Sequence, residues 1–235
     1  MMKYDLIFDL DDTLIQTQAA FRHNTDLCAN LVYQALGEKV FINDIKEVFN
    51  QIDLELIKDM GFSKARYPYA WESTLDILAT RFNLEISKIV NDQLQSLAKT
   101  IFKVNIPLQN DTFIIEELSN HKDVASMTIL TLGEKDVQSK RVMDSGLVQH
   151  FDNVFITNKK DINTYLELNE KLSNPVMIGN SLRSDIVPAL DAGMKAIHII
   201  RDSWSYDDLE HNYKIEGIKS LVEIKLLLFG NLAKL

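Results

Sequence analysis

The chain begins with an apolar run that ends in acidic residues. Leu6, Ile7 and Phe8 are consecutive apolar positions, and Asp9 and Asp11 follow within three residues. Consecutive rather than alternating apolar residues are typical of a strand that is buried on both faces of a parallel sheet. Because residues two apart on an extended chain project to the same side, both carboxylates are expected at one side of the strand's end. Such crowded carboxylates need a neutralising cation, although an Asp-rich turn would also account for the pattern.

The next part of the chain, from about residue 16 to residue 104, has the periodicity of helices. Apolar residues recur at spacings of three and four, and Gly37 and Gly61 end two of the segments. A loop over residues 62–68 precedes a third segment, and Ser87 can cap a fourth. The predicted helices cover residues 17–36, about 41–60, the region around 69–78, and about 87–102. Four helices with short connections predict a small antiparallel bundle.

Beyond Pro107 the pattern changes to strands that alternate with helices. The predicted strands cover residues 124–131, 154–157, 175–179 and 195–200, and the predicted helices cover 111–120, 135–145, 161–172, 185–192 and 218–229. This alternation is typical of βαβ units with right-handed crossovers and a parallel sheet. The first strand has to join that sheet, since alone it has no partner.

The predicted fold class is therefore α/β. A Rossmann-like core with a parallel sheet between helices would be formed by residues 1–15 and 105–235, and an α-helical bundle would be inserted at residues 16–104. A long insertion is tolerable there because the entropy of closing a loop grows only logarithmically with its length.

The composition excludes several kinds of partner. The 235 residues include 25 Lys and Arg against 34 Asp and Glu, and a net charge of −9 repels nucleic-acid phosphates and anionic lipid. No stretch approaches the roughly 20 apolar residues that span a bilayer, and no secretory signal is expected before the first strand. Cys28 is the only cysteine, which fits a reducing compartment. We expect a cytoplasmic protein with a small anionic substrate and neither a nucleic-acid nor a membrane partner; no oligomeric state is predicted.

Polar residues follow each predicted strand of the core. They are Asp9 and Asp11 after the first strand, Thr131-Leu132-Gly133 after the second, Lys159-Lys160 after the third, and Gly179-Asn180 with Asp185 after the fourth. In an open α/β sheet the carboxyl ends of the strands meet at one edge, where ligands bind. Oxygen ligands favour Mg²⁺, and a hydroxyl, backbone N–H groups and a lysine suit phosphoryl oxygens. The sequence therefore predicts a magnesium site beside a phosphate site.

These residues resemble the four motifs of the haloacid dehalogenase-like (HAD) superfamily. The first motif, DxDxT, is matched by Asp9-Leu10-Asp11-Asp12-Thr13, and the second, a Thr or Ser ending a strand, by Thr131. The third, a Lys ahead of a helix, is matched by Lys160, with Lys159 as the alternative register. The fourth, GDSxxxD, is matched by Gly179-Asn180-Ser181 and Asp185. The motifs occur in the expected order, and the helical bundle resembles the family's inserted cap.

The resemblance implies a Mg²⁺-dependent phosphatase that hydrolyses a small phosphorylated metabolite through an aspartyl-phosphate. Asp9 would attack phosphorus, and Asp11 would protonate the leaving oxygen and then activate water. Thr131 and Lys160 would stabilise phosphoryl oxygens. The residues implied for substrate binding are Thr131, Leu132, Gly133, Lys160 and, from the cap, Arg66.

The implied metal ligands include one departure from the family's pattern. They are the carboxylate of Asp9, the backbone carbonyl of Asp11, Asn180 and Asp185. The family commonly has Asp where this chain has Asn180. An amide oxygen can bind Mg²⁺ but adds no charge, so the metal is expected to bind more weakly, with Asp185 as the anionic ligand. The alternative is that Asn180 only shapes its loop.

Other functions on the same fold remain as alternatives. A haloacid dehalogenase also uses an Asp nucleophile but requires neither the second Asp nor the metal, so Asp11 and Asp185 speak against it. A sugar phosphomutase would keep Asp11 and transfer the phosphoryl group back to a sugar. A non-catalytic relic that only binds phosphate is suggested by Asn180. A phospho-accepting signalling receiver is disfavoured because it carries its acidic pair and its acceptor on separate strands and has no helical insertion of this size.

Overall fold

The computed structural model of the protein describes residues 3–201 and 213–230. The chain divides into two compact units, a core unit made of Met1–Gln18 with Asn105–Leu235 and a helical unit made of Ala19–Val104. The sequence-based proposal places the first boundary slightly earlier, between residues 15 and 16, and the second at the same position.

The helical unit has an aromatic interior. Its helices are α1 (Thr17–Ala35, which begins within the core unit), α2 (Ile42–Met60), α3 (Arg66–Arg81) and α4 (Lys88–Lys99), with a 3₁₀ turn at Thr100–Phe102. The rings of Phe49 and Trp71 stack with their centroids 4.1 Å apart, and Tyr67 packs edge-on against both. Ser87 caps α4 by accepting a hydrogen bond from Val90 N, as its sequence position predicts.

Helix α3 begins earlier than the sequence predicts. Residues Arg66 to Pro68 form its first turn, whereas the pattern indicates a loop over residues 62–68. A proline is tolerated there because the first N–H groups of a helix have no intrahelical acceptor.

Among the described helices, none combines the length and the apolar character that a membrane span requires.

A parallel sheet forms the centre of the core unit, which confirms the predicted α/β fold. Its strands are β1 (Tyr4–Phe8), β2 (Val124–Leu132), β3 (Asn153–Thr157), β4 (Pro175–Gly179), β5 (Lys195–Ile199) and β6 (Gly217–Ile218). They lie in the order β3-β2-β1-β4-β5-β6, and neighbours pair in parallel. The short strand β6 lies where the sequence predicts the start of the last helix.

Strand β1 occupies the middle of this sheet and is flanked by β2 and β4. Leu6, Ile7 and Phe8 are fully buried, as their consecutive apolar pattern predicts. The chain builds β2 and β3 on one side of β1 and then crosses to β4 on the other. The carboxyl end of β1 is therefore the topological switch point, where open α/β sheets bind ligands.

Helices alternate with the strands of the core unit. They are α5 (Ile114–Ser119), α6 (Lys135–Asp144), α7 (Ile162–Lys171), α8 (Val187–Asp191) and α9 (Glu223–Phe229). Ile7, Leu130 and Met177, from three adjacent strands, belong to one buried cluster with Tyr165 and Leu168 of α7. The first two residues of the helix predicted over 185–192 belong instead to a π-helical turn at Leu182–Ile186, which leads directly into α8. Such turns are frequent at functional sites.

Candidate active site

Asp9 is the first residue after β1 and is buried at the carboxyl edge of the sheet. Its backbone N donates to Ile178 O at 2.9 Å, which continues the pairing with β4. Its Oδ1 accepts a hydrogen bond from Lys160 Nζ, and its Oδ2 accepts one from Thr13 Oγ1 at 3.0 Å. Since each oxygen has one donor within the described part of the chain, the carboxylate is fixed and retains lone pairs for a further ligand.

Lys160 brings two carboxylates together. Its ammonium contacts Asp9 and also donates to Asp185 Oδ1 at 2.7 Å. The other oxygen of Asp185 accepts from Ser181 N at 3.1 Å, which ties the π-helical turn to the residue that caps its N-terminus. The side chains of Lys160 and Asp185 are each 1% exposed, so this ion cluster is shielded from water. Lys159, the alternative register, is exposed.

The electrostatics of this cluster leave it short of positive charge. Burial and the neighbouring Asp185 raise the pKa of the Asp9 carboxyl well above its usual range, although Lys160 opposes the shift. Burial alone would lower the pKa of Lys160, but attraction by Asp185 and Asp9 outweighs burial and raises it, so the ammonium stays protonated. Two carboxylates thus share one cation. A second cation would balance the remaining negative charge.

Gly179 allows Asp185 to approach the end of β4. A Cβ atom added at Gly179 would lie 2.4 Å from Asp185 Oδ2 and 2.6 Å from Asp185 Cβ. No rotation of the Asp185 side chain removes the second clash, because Cβ is fixed by the backbone. The glycine that opens the fourth motif is therefore required by this contact.

Asn180 lies between the first and fourth motifs. Its Oδ1 is 3.1 Å from Thr13 Oγ1, and its backbone N donates to that same hydroxyl oxygen at 3.1 Å. The backbone oxygen of Asn180 contacts His198 Nε2 at 3.0 Å. Thr13 has one hydroxyl hydrogen, which it can donate either to Asp9 or to Asn180. Hence the amide oxygen of Asn180 is held close to Asp9 without adding charge.

Thr131 ends the buried part of β2, next to β1. The residue is fully buried, and its Oγ1 has no hydrogen-bond partner among the described residues. A buried hydroxyl without a partner is costly. A phosphoryl oxygen would provide the missing acceptor. Leu132 and Gly133 follow directly and lead into α6.

Asp11 is held by side chains that the sequence reasoning did not identify. Its Oδ1 accepts from Thr17 Oγ1 at 2.5 Å and from Arg141 Nη1 at 2.8 Å, and its Oδ2 accepts from Gln138 Nε2 at 2.7 Å. Gln138 and Arg141 are three positions apart on α6 and so share one face of the helix. The three-residue spacing of these two polar side chains, on the helix directly after the second motif, is the sequence signal from which they could have been identified.

Arg66 is engaged within the helical unit. Its guanidinium lies 3.4 Å from a carboxylate oxygen of Asp53 and is 5.5 Å from the centroid of the Phe62 ring. Its Nε has no partner among the described residues. A role in substrate binding stays a prediction.

The donors near Asp9 suit a hard cation. Within the described residues, no group of three His, Cys, Asp or Glu side chains could hold a metal ion. A cation would therefore use the carboxylates of Asp9 and Asp185 together with neutral oxygens, namely the Asn180 amide and the Asp11 backbone carbonyl. All of these are oxygen donors of the kind that Mg²⁺ prefers, and the excess negative charge of the ion cluster favours a cation. The residues present fit magnesium.

Solved structures share the fold of this chain. A haloacid dehalogenase-like family hydrolase from Xanthomonas campestris matches with a TM-score of 0.77 at 18% identity, covering 97% of this chain and 91% of that one. A HAD-hydrolase from Bacillus subtilis bound to magnesium, YfnB, matches with a TM-score of 0.64 at 20% identity, covering 97% and 100%. The chain has the fold of these HAD-like hydrolases, so the resemblance inferred from the four motifs is confirmed at the level of the fold.

Two curated proteins are similar to this chain over most of its length. The pyrimidine 5'-nucleotidase PynA of Streptococcus pneumoniae is 26% identical over 210 residues, which cover 82% of this chain and 81% of that protein. The glyceraldehyde 3-phosphate phosphatase of Pyrococcus furiosus is 26% identical over 239 residues, covering 93% and 91%. No family model matches the chain.

Proposed function

We propose that the protein is a magnesium-dependent phosphatase that hydrolyses a small phosphorylated metabolite through an aspartyl-phosphate on Asp9. The observation that carries the proposal is the meeting of Asp9 and Asp185 on the Lys160 ammonium at the switch point of the sheet. The buried part of the neighbouring strand ends at Thr131, whose hydroxyl lacks a partner among the described residues. The two curated relatives support an enzyme that acts on phosphate monoesters.

The reaction has two proposed steps. In the first, a carboxylate oxygen of Asp9 attacks phosphorus, and the bond to the leaving oxygen breaks with its electron pair on that oxygen. Asp11 gives the leaving oxygen a proton. In the second, a water molecule loses a proton to Asp11 and attacks phosphorus, and the electron pair of the broken bond returns to Asp9. Lys160 and Thr131 donate hydrogen bonds to phosphoryl oxygens as their charge changes.

Magnesium would be held by Asp9, Asp185, the Asn180 amide and the backbone carbonyl of Asp11. When bound, it would shield the attacking carboxylate from the negative charge of the phosphate. Two features support a magnesium site here: the oxygen donors present, and the excess of carboxylate over ammonium charge in the buried ion cluster.

The helical unit is proposed to be the cap that provides substrate contacts. Arg66 is its candidate residue, and its guanidinium would have to share its donors between Asp53 and a substrate anion. The relatives suggest two substrate classes to test, pyrimidine 5'-nucleotides and glyceraldehyde 3-phosphate.

A cytoplasmic location is part of the proposal and is supported by the single, buried thiol of Cys28.

A specific observation favours the phosphatase over the haloacid dehalogenase. Asp11, which a dehalogenase does not require, has three side-chain donors, and Asp185 is integrated into the ion cluster. A phosphomutase would use the same residues, and a relic would retain them without turnover. These alternatives are separated by their products.

The deciding experiment is a panel of phosphate esters assayed with Mg²⁺ and again with chelator. The panel contains p-nitrophenyl phosphate, pyrimidine 5'-monophosphates, glyceraldehyde 3-phosphate and a hexose 1-phosphate. We expect phosphate release only with Mg²⁺. Release from none of the esters would favour the relic, isomerised hexose phosphate would indicate a mutase, and metal-independent halide release from a 2-haloacid would indicate a dehalogenase.

Two variants link the activity to the ion cluster. Asp9→Asn should abolish turnover because the amide is not a nucleophile toward phosphorus. Lys160→Met should lower turnover strongly, whereas Lys159→Met, which removes the exposed neighbouring ammonium, serves as the matched control and should retain it. Equal losses in the two lysine variants would contradict the role given to Lys160.

A further inference from the structure

We propose that Arg141 and Gln138 are positioning residues that hold the Asp11 carboxyl group for proton transfer to and from the substrate. This inference rests on the proposed function, because Asp11 is the residue that gives and takes the proton in the proposed phosphatase reaction. Neither residue belongs to the four motifs. Both lie on α6, directly after the loop that follows β2.

The contacts of Asp11 fix the orientation of its carboxyl group. Three donors hold its two oxygens at 2.5 to 2.8 Å. The side chain of Arg141 is 11% exposed and Gln138 is 2% exposed, so both donors are largely buried, whereas the side chain of Asp11 is 23% exposed and stays accessible. Hydrogen bonds to a charged carboxylate are stronger than those between neutral groups. The carboxyl group is thereby restrained to a single orientation.

The distribution of donors distinguishes the two oxygens of Asp11. Oδ1 accepts from both Thr17 and Arg141, whereas Gln138 is the only donor to Oδ2 among the residues that the structure describes. A guanidinium does not give up its proton at physiological pH, so Arg141 remains a donor throughout the reaction. We assign the exchanged proton to Oδ2, the oxygen with the greater unused acceptor capacity.

The loop after β2 is shaped to bring Gln138 to Asp11. The same Nε2 that reaches Asp11 also donates to Leu132 O at 2.6 Å. A Cβ atom added at Gly133 would lie 3.0 Å from that Nε2, and the φ of Gly133 is +145°, which side-chain-bearing residues rarely adopt. One amide thus connects Asp11 to the loop proposed to bind phosphate. The glycine makes room for it.

The test separates proton donation from the rest of catalysis by varying the leaving group. An alkyl phosphate such as glycerol 3-phosphate needs a proton on its leaving oxygen, whereas p-nitrophenyl phosphate does not. Loss of a positioned general acid costs about 10²-fold or more. For Arg141→Met we therefore expect kcat/KM to fall about 100-fold on the alkyl ester and to change less than about threefold on the aryl ester.

A second readout reports the hydrolysis of the phosphoenzyme. Because kcat/KM covers only the steps through the first irreversible one, slow hydrolysis of the phosphoenzyme would not lower it for p-nitrophenyl phosphate. That slow step should instead produce a burst of p-nitrophenolate followed by slow turnover in Arg141→Met. Arg141→Lys, which keeps the charge, should recover part of the activity on the alkyl ester.

The matched control is Lys140→Met, which removes the adjacent positive charge of the same helix. Lys140 pairs with Asp144, not with Asp11, and its side chain is 40% exposed. It should leave the ratio of the two kcat/KM values unchanged. If Arg141→Met does not fold, Gln138→Leu, which removes the donor to the other oxygen, is judged by the same ratio.

The outcomes distinguish this inference from the function on which it rests. Equal losses on both esters, or no loss on either, would overturn the positioning role while unsubstituted protein remains active. Absence of turnover in unsubstituted protein with Mg²⁺ would overturn the proposed function and this inference with it. A loss confined to the alkyl ester, together with the burst, would establish the role.

Discussion

The substitution Asn180→Asp would restore the carboxylate that the HAD motif usually carries, and its effect can be worked out from the geometry. Asn180 Oδ1 is 3.1 Å from Thr13 Oγ1, which is itself 3.0 Å from Asp9 Oδ2. The single hydroxyl hydrogen of Thr13 cannot satisfy two carboxylates at once. In the absence of metal, the substitution would add a third acidic group to a buried cluster that contains one ammonium.

The size of the effect follows from these distances. The two oxygens bracketing the Thr13 hydroxyl are separated by no more than about 6 Å, and at an effective dielectric constant of about 20 two unit charges at that distance repel by about 3 kcal/mol. Partial protonation would reduce this cost, because buried carboxyls shift their pKa instead of remaining charged. We expect the metal-free variant to lose about 2 kcal/mol of unfolding free energy at neutral pH.

Magnesium should reverse this loss. A further anionic ligand is expected to tighten binding by at least about tenfold, and each tenfold is worth about 1.4 kcal/mol. A ligand that binds only the folded state stabilises it in proportion to the logarithm of its concentration over Kd. The gain from saturating Mg²⁺ should therefore be larger in Asn180→Asp than in unsubstituted protein.

The assay is urea unfolding in chelator and in a Mg²⁺ series, with Asn153→Asp as the control. Asn153 is exposed at the start of β3, so this variant adds the same charge away from the ion cluster. Magnesium should stabilise it by the same amount as unsubstituted protein. If Asn180→Asp were as stable as unsubstituted protein in chelator and gained no more from Mg²⁺, the charge argument for this cluster would be refuted.

Three other predictions concern single side chains. Gly179→Ala should displace Asp185 from Lys160, because of the 2.4 Å clash, and should lower both turnover and unfolding free energy, the latter by about 1–3 kcal/mol. Despite burial, hydrogen bonds from Arg201 and from Leu221 N hold the pKa of Asp111 below its usual range. Their stabilisation is therefore present above the ordinary carboxyl pKa and lost in acid, so Asp111→Asn should cost about 1 kcal/mol in urea unfolding at pH 7 and little near pH 3. Burial raises the pKa of Cys28 to about 12, so iodoacetamide should modify this thiol at pH 8 only after unfolding, as mass spectrometry can show.

Much of the core could be predicted because its strands are continuous apolar runs with polar residues at their ends. The run at Leu6 to Phe8 identifies the central strand, and the placement of Asp9, Lys160 and Asp185 after three strands predicts that they meet. The structure brings these three together on one ammonium. Strand ends are informative since parallel topology, once inferred, places them all at one edge.

Other features could not be predicted because their signal is weak or is shared with competing structures. Strand β6 has only two residues, too few for any periodicity. The π-helical turn depends on a hydrogen bond from Ile186 N to Ser181 O, which no composition specifies. Gln138 and Arg141 are polar residues on a helix, and such residues usually face solvent. Their burial against Asp11 depends on how α6 is set against the sheet.

The central position of β1 has a consequence for how the chain folds. Tyr4 pairs with Val124, and Asp5 pairs with Pro175, so both flanking partners of this strand are made more than a hundred residues later. Such distant pairings are slow to form, because the chain loses the entropy of closing a long loop before any stabilising contact is made. Helix formation between residues 19 and 104 shortens that loop. Refolding of the sheet should consequently accelerate when these helices are stabilised, even by substitutions remote from every strand.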